Sequence, residues 1–313
     1  MQFFKPHILF IAVIFLLSIQ GCAGVKKPPV QTLAIVPGVS GHFKIGQIMD
    51  LTAGISVSFD KLADQLSSKD LVFVGEVHDN PEHHLIQVQI LQAIISRHSE
   101  VTLAMEFFQQ TAQKAIDRYL QGDTDEETFL KEVGWKKGGG FEYSFYRPLM
   151  LLAKQNGIGV LALNAPRDIV KKVARKGLKG LDEHERKQLP EEIDLTNAAH
   201  REYVREAYGQ HGHGNLKTFE FFYEAQCVWE DTMAHNIAEY LRRSNRKVIA
   251  FMGNGHIVDK FGVPNRTIKR VPVSMTTVMP YALRGQDTIE KGTADYVWLT
   301  PAYPHRFMLL RQE

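Results

Sequence analysis

Cysteine is scarce in this 313-residue chain: Cys22 and Cys227 are the only two, and neither belongs to a CxxC or CxxCH spacing. That excludes a disulfide framework, a thiolate-held zinc or iron–sulfur site and covalently attached haem. An excess of either charge is also missing. Thirty-seven Lys and Arg stand against 35 Asp and Glu, a net +2 with no dense basic cluster, so the electrostatic footprint of nucleic-acid binding is absent. There is no internal repeat. The longest apolar run, Ile8 to Ile19, falls short of the roughly 20 residues a bilayer-spanning helix needs. Disorder and collagen-like repetition are excluded by a composition 44% hydrophobic and 23% charged.

What is present begins with an export signal. Lys5 gives a positive flank, Ile8 to Ile19 an apolar core, and Gly21-Cys22 a small-residue end. Ile19-Gln20-Gly21-Cys22 is similar to a bacterial lipobox, in which cleavage leaves the cysteine as the lipidated first residue. The expected organisation is therefore a signal peptide over 1–21, a Lys- and Pro-bearing tether over 22–40, and one domain over 41–313. Lipidation at Cys22 would anchor the protein in the cell envelope. Gly24, with no Asp beside Cys22, resembles outer-membrane sorting. Cys227 lies in a helical, apolar pattern and reads as a buried structural thiol.

The body alternates strand and helix patterns. Leu71 to Glu76 is a short apolar run typical of a strand buried on both faces. Asn80 and Pro81 then suit a helix cap and first turn, continuing to about Arg97. Further strands are expected at Val101 to Phe107, Gly157 to Leu163 and Lys247 to Met252, with candidates at Ile268 to Val278 and Tyr296 to Thr300. Helices are expected at Thr111 to Leu120, Phe145 to Gln155 and Arg167 to Lys176, and a long one at Leu216 to Arg242. The fold class is α/β: a mainly parallel sheet flanked by helices, with a helical insertion before the longest helix.

Each of the four firm strands ends in chemistry-capable groups: Glu76 and His78, then Glu106, then Asn164 and Arg167, then Asn254 and His256. Ligands of open parallel sheets bind beyond the carboxyl ends of the strands, so these tips are expected to meet in one crevice. Two carboxylates and two imidazoles could hold a divalent metal or serve as acid and base, or neutralise one another structurally. Arg167 offers a planar fork for a carboxylate or phosphate. Gly138-Gly139-Gly140 lacks the Lys-Ser/Thr ending of a phosphate loop and reads as a hinge or lid. Beside it Tyr143, Phe145, Tyr146 and Arg147 could cover a flat apolar ligand or pack the core. His211 and His213 form a loop pair able to bind metal or haem, or to remain solvated. His83 and His84 diverge by about 100° on a helix, so at most one reaches the crevice. His200, Tyr203 and Tyr208 are ambiguous.

Several of these motifs, in order, carry a resemblance. Val74-Gly75-Glu76-Val77-His78-Asp79-Asn80-Pro81-Glu82-His83-His84, Ala104-Met105-Glu106-Phe107, Leu163-Asn164-Ala165-Pro166-Arg167, Gln226-Cys227-Val228-Trp229-Glu230-Asp231-Thr232-Met233-Ala234, and Gly253-Asn254-Gly255-His256 with Gly262-Val263-Pro264-Asn265-Arg266 resemble the ChaN-like haem-binding lipoprotein family. That family is related to the TIKI and erythromycin-esterase-like proteins. The resemblance covers about residues 45–270 and implies a lipid-anchored protein of haem or iron uptake. It implies non-covalent haem, a homodimer sharing two haems, tyrosine ligation, and an outer-membrane haem transporter as partner. Tyr146 falls where the family places a tyrosine. Tyr203, Tyr208 and the His211/His213 loop stay open as alternatives, with Asn164, Arg167, His78 and His256 around the ligand. The wider superfamily implies a second reading, a divalent-metal-dependent hydrolase using Glu76, His78, Glu106 and His256.

Overall fold

The computed structural model describes residues 32–135, 142–210 and 218–303. The expected signal peptide, Cys22, the glycine triplet at 138–140, and His211 and His213 lie outside the described residues.

In chain order the elements are β1 (Leu33–Ile35), β2 (Phe43–Lys44), β3 (Ile48–Asp50), β4 (Ile55–Val57), α1 (Phe59–Ser67), β5 (Leu71–Val74), α2 (Pro81–Ile95) and β6 (Val101–Gln109). Then come α3 (Gln113–Gln121), α4 (Glu126–Glu132), α5 (Tyr143–Gln155), β7 (Gly159–Asn164), α6 (Arg167–Lys176), α7 (Glu183–Arg186) and α8 (Ala198–Gln210). The chain continues through α9 (Phe219–Arg243), β8 (Lys247–Phe251), α10 (Val263–Arg270), β9 (Met275–Leu283), β10 (Gln286–Thr288) and β11 (Tyr296–Pro301).

The main sheet has the order β4-β3-β11-β9-β5-β8-β6-β7. The six strands from β11 to β7 run parallel, and β3 and β4 join antiparallel at one edge. The expected α/β class, with its mainly parallel sheet, is the one observed. Strand alternation sorts the side chains onto two faces. Val72, Val74, Leu103, Met105, Ile249 and Phe251 pack with α1, α2, α3 and α5, whereas Leu71, Phe73, Ala104, Val248 and Ala250 pack with α9 and α10. From β5 the chain crosses to β6 and β7, returns to β8 beside β5, and then moves to β9 on the other side of β5. This reversal opens a crevice at the carboxyl ends of the strands.

Two expectations need correction. The segment expected as a tether, 22–40, contains β1, which pairs in parallel with β10, and Ala34 and Val36 are fully buried. The apolar run Leu33-Ala34-Ile35-Val36 gains more from burial than from remaining a linker. The strand expected over 268–278 begins only at Met275. Its first residues belong to α10, where Pro264 occupies the first turn, and Pro272 disfavours helical backbone at Val271, closing the helix. Among the described residues no helix is long and apolar enough to cross a membrane.

Candidate functional site

Strand parity decides which way each acidic tip faces. Glu76 continues the 72, 74 series and falls on the α2/α5 side; Glu106 continues from Ala104 and falls on the α9 side. Although β5 ends at Val74, the Glu76–His78 contact expected from strand geometry survives in the loop: His78 Nδ1 lies 2.7 Å from Glu76 Oε1. Glu76 is fully enclosed. Tyr146 donates its hydroxyl to Oε1 at 2.7 Å, Gln87 Nε2 donates to Oε2 at 2.9 Å, and His84 Nδ1 stands 3.3 Å from Oε2.

The loop is pinned from behind. The Val77 N–H donates to His83 Nδ1 at 2.9 Å, and His83 Nε2 meets Thr300 Oγ1 at 3.0 Å. Burial, reinforced by the neighbouring His84, drops the His83 imidazole to about 3, so it stays neutral. Gly75 allows the close approach of this loop to the one after β8. A Cβ there would lie 2.0 Å from Asn254 Oδ1 and 2.8 Å from Ile257 Cδ1. Gly75→Ala should therefore lower unfolding free energy by about 1–3 kcal/mol, the range for overpacking, and a urea titration will read it.

Glu106 and His256 form the second pair. The His256 ring lies between two carboxylates, with Nε2 3.4 Å from Glu106 Oε1 and Nδ1 3.2 Å from Glu230 Oε1. Glu106 Oε2 also accepts the Gly253 N–H at 2.7 Å. Burial opposes charge on all three. The ion pairing outweighs it, pushing His256 up to about 10 and bringing Glu106 down to about 2. Glu230, likewise opposed by burial, is held far below the ordinary carboxylate range by His200 and His256. Behind it the polar network continues: His200 Nε2 is 3.0 Å and Arg266 Nε 3.4 Å from Glu230 Oε2, and Arg266 and Arg270 both pair with Asp231. Sequence reading missed Glu230, because a glutamate inside a long helix looks like part of a solvated face.

These tips border one cavity of about 300 Å³, lined by His78, Glu106, Asn164, Arg167 and His256 together with the aromatic walls Phe107, Trp135 and Trp229. The expected convergence is thus present, with Glu76 one layer behind His78. Asn164 Nδ2 donates to the Glu106 carbonyl at 3.1 Å, and the Arg167 N–H donates to Gln109 Oε1 at 2.8 Å. The donor set suits haem: aromatic surfaces for a macrocycle, a guanidinium for carboxylates and an imidazole for iron.

Other expected site residues fall elsewhere. Tyr146 is fully buried and absent from the cavity wall, with its hydroxyl committed to Glu76. Burial and the Glu76 charge push that phenol far above its usual range. Tyr203 lies near Gly255 and does not line the cavity. Neither His83 nor His84 reaches it. Cys227 is buried, and burial pushes its thiol up to about 12, as expected of a structural cysteine. A divalent-metal reading of Glu76, His78, Glu106 and His256 finds no support. Among the described residues no three His, Cys, Asp or Glu side chains group to hold an ion. The two crevice carboxylates already spend their oxygens on fixed donors.

The family model described as "Haem-binding uptake, Tiki superfamily, ChaN" matches residues 62–267. The chain belongs to this family. The solved structure of cofacial haem binding to ChaN of Campylobacter jejuni is similar over 80% of this chain and 95% of that one, at 19% identity and a TM-score of 0.65, which establishes the shared fold. An erythromycin esterase mutant in its open conformation is similar over 74% of this chain and 76% of that one, at 14% identity and a TM-score of 0.45. The chloroplastic protein RETICULATA-RELATED 5 of Arabidopsis thaliana is 26% identical over 131 residues, 40% of this chain; the match spans 17% of that relative's length.

Proposed function

We propose that this chain binds haem non-covalently in the crevice at the carboxyl ends of β5, β6, β7 and β8, as a lipid-anchored envelope protein of haem or iron uptake. The observation that carries this reading is the cavity wall, where Phe107, Trp135 and Trp229 stand beside His78 and Arg167. Ligand pockets pair apolar and aromatic walls with a few placed polar groups, and a guanidinium fork suits the carboxylates of a porphyrin. Family membership supports the same ligand. At about 300 Å³ the cavity would enclose only part of a porphyrin, which supports a second copy of the chain closing over the remainder.

Haemin titration tests the reading. We expect saturation at one haem per chain with micromolar or tighter affinity, roughly −8 kcal/mol or better. In Arg167→Ala the affinity should fall by about tenfold or more, as when a charge-assisted bond is lost. Titration without saturation would remove the proposal. Light scattering with and without haemin tests the dimer. Release of the protein from membranes by Cys22→Ser tests the anchor, and co-purification with an outer-membrane haem transporter tests that partner. The hydrolytic reading has less behind it: His256, charged between two carboxylates, can give a proton but is a poor base.

A further inference from the structure

Resting on the lipid-anchored reading, we infer that the exposed face of α6 docks on an anionic phospholipid surface and sets how the anchored domain lies against its membrane. Residues 167–179 hold six basic side chains against one acidic, Asp168, in a chain whose net charge is only +2. Spaced singly or in pairs, they form no dense run along the sequence; the helix gathers them. Ile169, Val170 and Val173 bury one side of α6 against Ala225 and Val228 of α9. Lys171 and Arg175, four residues apart and so neighbours on one ridge, are exposed, with Lys176 and Lys179 exposed beside them.

Helix cations elsewhere in the fold are commonly paired: Arg118 meets Glu132, Lys131 meets Glu127, Lys187 meets Glu183, and Arg242 and Arg243 share Glu239. Among the described residues, Lys171, Arg175, Lys176 and Lys179 have no such carboxylate. The acids that α7 brings up are already engaged, Glu185 with Lys172, and Asp182 with Lys172 and the α7 cap. The helix dipole accounts for Arg175 and Lys176 in the last turn, but not for Lys171 in the middle or Lys179 beyond the end. Clustered lysines and arginines on an amphipathic helix are drawn to anionic headgroups, about fivefold for each side chain near the surface.

The tether selects a lipid surface over an acidic protein. From Cys22 to Leu33, where β1 begins, an extended chain spans at most about 40 Å, so an acyl group on Cys22 would keep the domain beside headgroups at all times. Arg167, the first residue of α6, lines the crevice, and a helix of this length spans about 15 Å. Docking along α6 therefore holds the crevice within about that distance of the lipid surface, where an apolar macrocycle would enter or leave.

The test uses the full chain purified from membranes and added to preformed vesicles of phosphatidylcholine, alone or in equal parts with phosphatidylglycerol. Acetylation by a membrane-impermeant reagent, read by mass spectrometry, reports each lysine. On the anionic vesicles Lys171, Lys176 and Lys179 should label at least about threefold more slowly than on the zwitterionic ones. Lys61, on α1 across the sheet, should label equally on both, and high salt should erase the difference. Lys171→Glu combined with Arg175→Glu, two exposed changes that leave the core untouched, should lose the protection at Lys176 and Lys179 while keeping the wild-type urea midpoint. Equal labelling of the α6 lysines on the two vesicle types overturns the docking. So does protection that arises only when envelope proteins are added, which would assign α6 to an acidic protein surface. In both cases the chain still sediments with the vesicles, so the anchor stands. A chain that stays in the supernatant with both vesicle types overturns the anchor and the docking together.

Discussion

Glu230→Ala should lower the unfolding free energy by about 3–5 kcal/mol, the range for breaking a buried ion pair by removing one partner. Glu230 is fully buried, and its carboxylate faces His256, His200 and Arg266 together. Deleting it removes one of the two carboxylates that face His256 and one of the two that face Arg266. Arg266 keeps Asp231, but His256 keeps only Glu106. Glu230→Gln preserves shape and should have a smaller effect, because its amide oxygen can still accept one hydrogen bond. Urea unfolding of both variants will separate the lost charge from the lost volume. A change below about 1 kcal/mol in Glu230→Ala would mean that the apolar contacts and the Asp231 ion pairs hold α9 against α10 without help from Glu230.

The contrast between Glu230 and Glu76 shows what a sequence makes legible. Glu76, Glu106 and His256 each end or follow a short apolar strand, where a polar residue has no packing reason to be, so their convergence could be read from position. Parity then settled which face each carboxylate takes. Glu230 and Asp231 interrupt a helix in which polar residues are ordinary, and only the arrival of Arg266 from α10 gives them a role.

Tyr146 illustrates a different limit. The aromatic and basic group from Tyr143 to Arg147 was legible as capable of covering a ligand or packing the core, but helical phase turns the Tyr146 ring inward against Phe107 and Trp135. Its hydroxyl had to find a buried partner there. The partner, Glu76, comes from the loop after β5, 70 residues earlier, and no local pattern encodes that distance. Likewise Ile268 to Val278 is rich in β-branched residues and reads as a strand, yet its first residues belong to the helix that Pro264 opens and Pro272 ends. The aromatic walls Trp135 and Trp229 come from two different connections that the sheet order alone brings together.

The His256 imidazolium should survive to alkaline pH and make the fold sensitive to base. Its folded value, about 10, lies above the ordinary 6.5, so the stabilisation it supplies is fully present below about pH 6.5 and is lost as pH rises toward and through 10. Glu106 gives the acid limb of the same pair. Brought down to about 2 from 4.5, it stabilises above pH 4.5 and loses that contribution as pH falls through 2. The two shifts describe one interaction from either end, so their energies are not added; the pairing is worth on the order of a few kcal/mol. The expected profile is a plateau from about pH 5 to 7 with a decline on each side. In His256→Gln the alkaline decline should flatten between pH 7 and 10. Ring-nitrogen NMR of histidine-labelled protein gives the direct reading: one imidazole should remain doubly protonated at pH 8.5 and disappear in His256→Gln. A His256 signal titrating near 6.5 would show that the two carboxylates do not hold a charge between them, and the buried ion network would lose its central member.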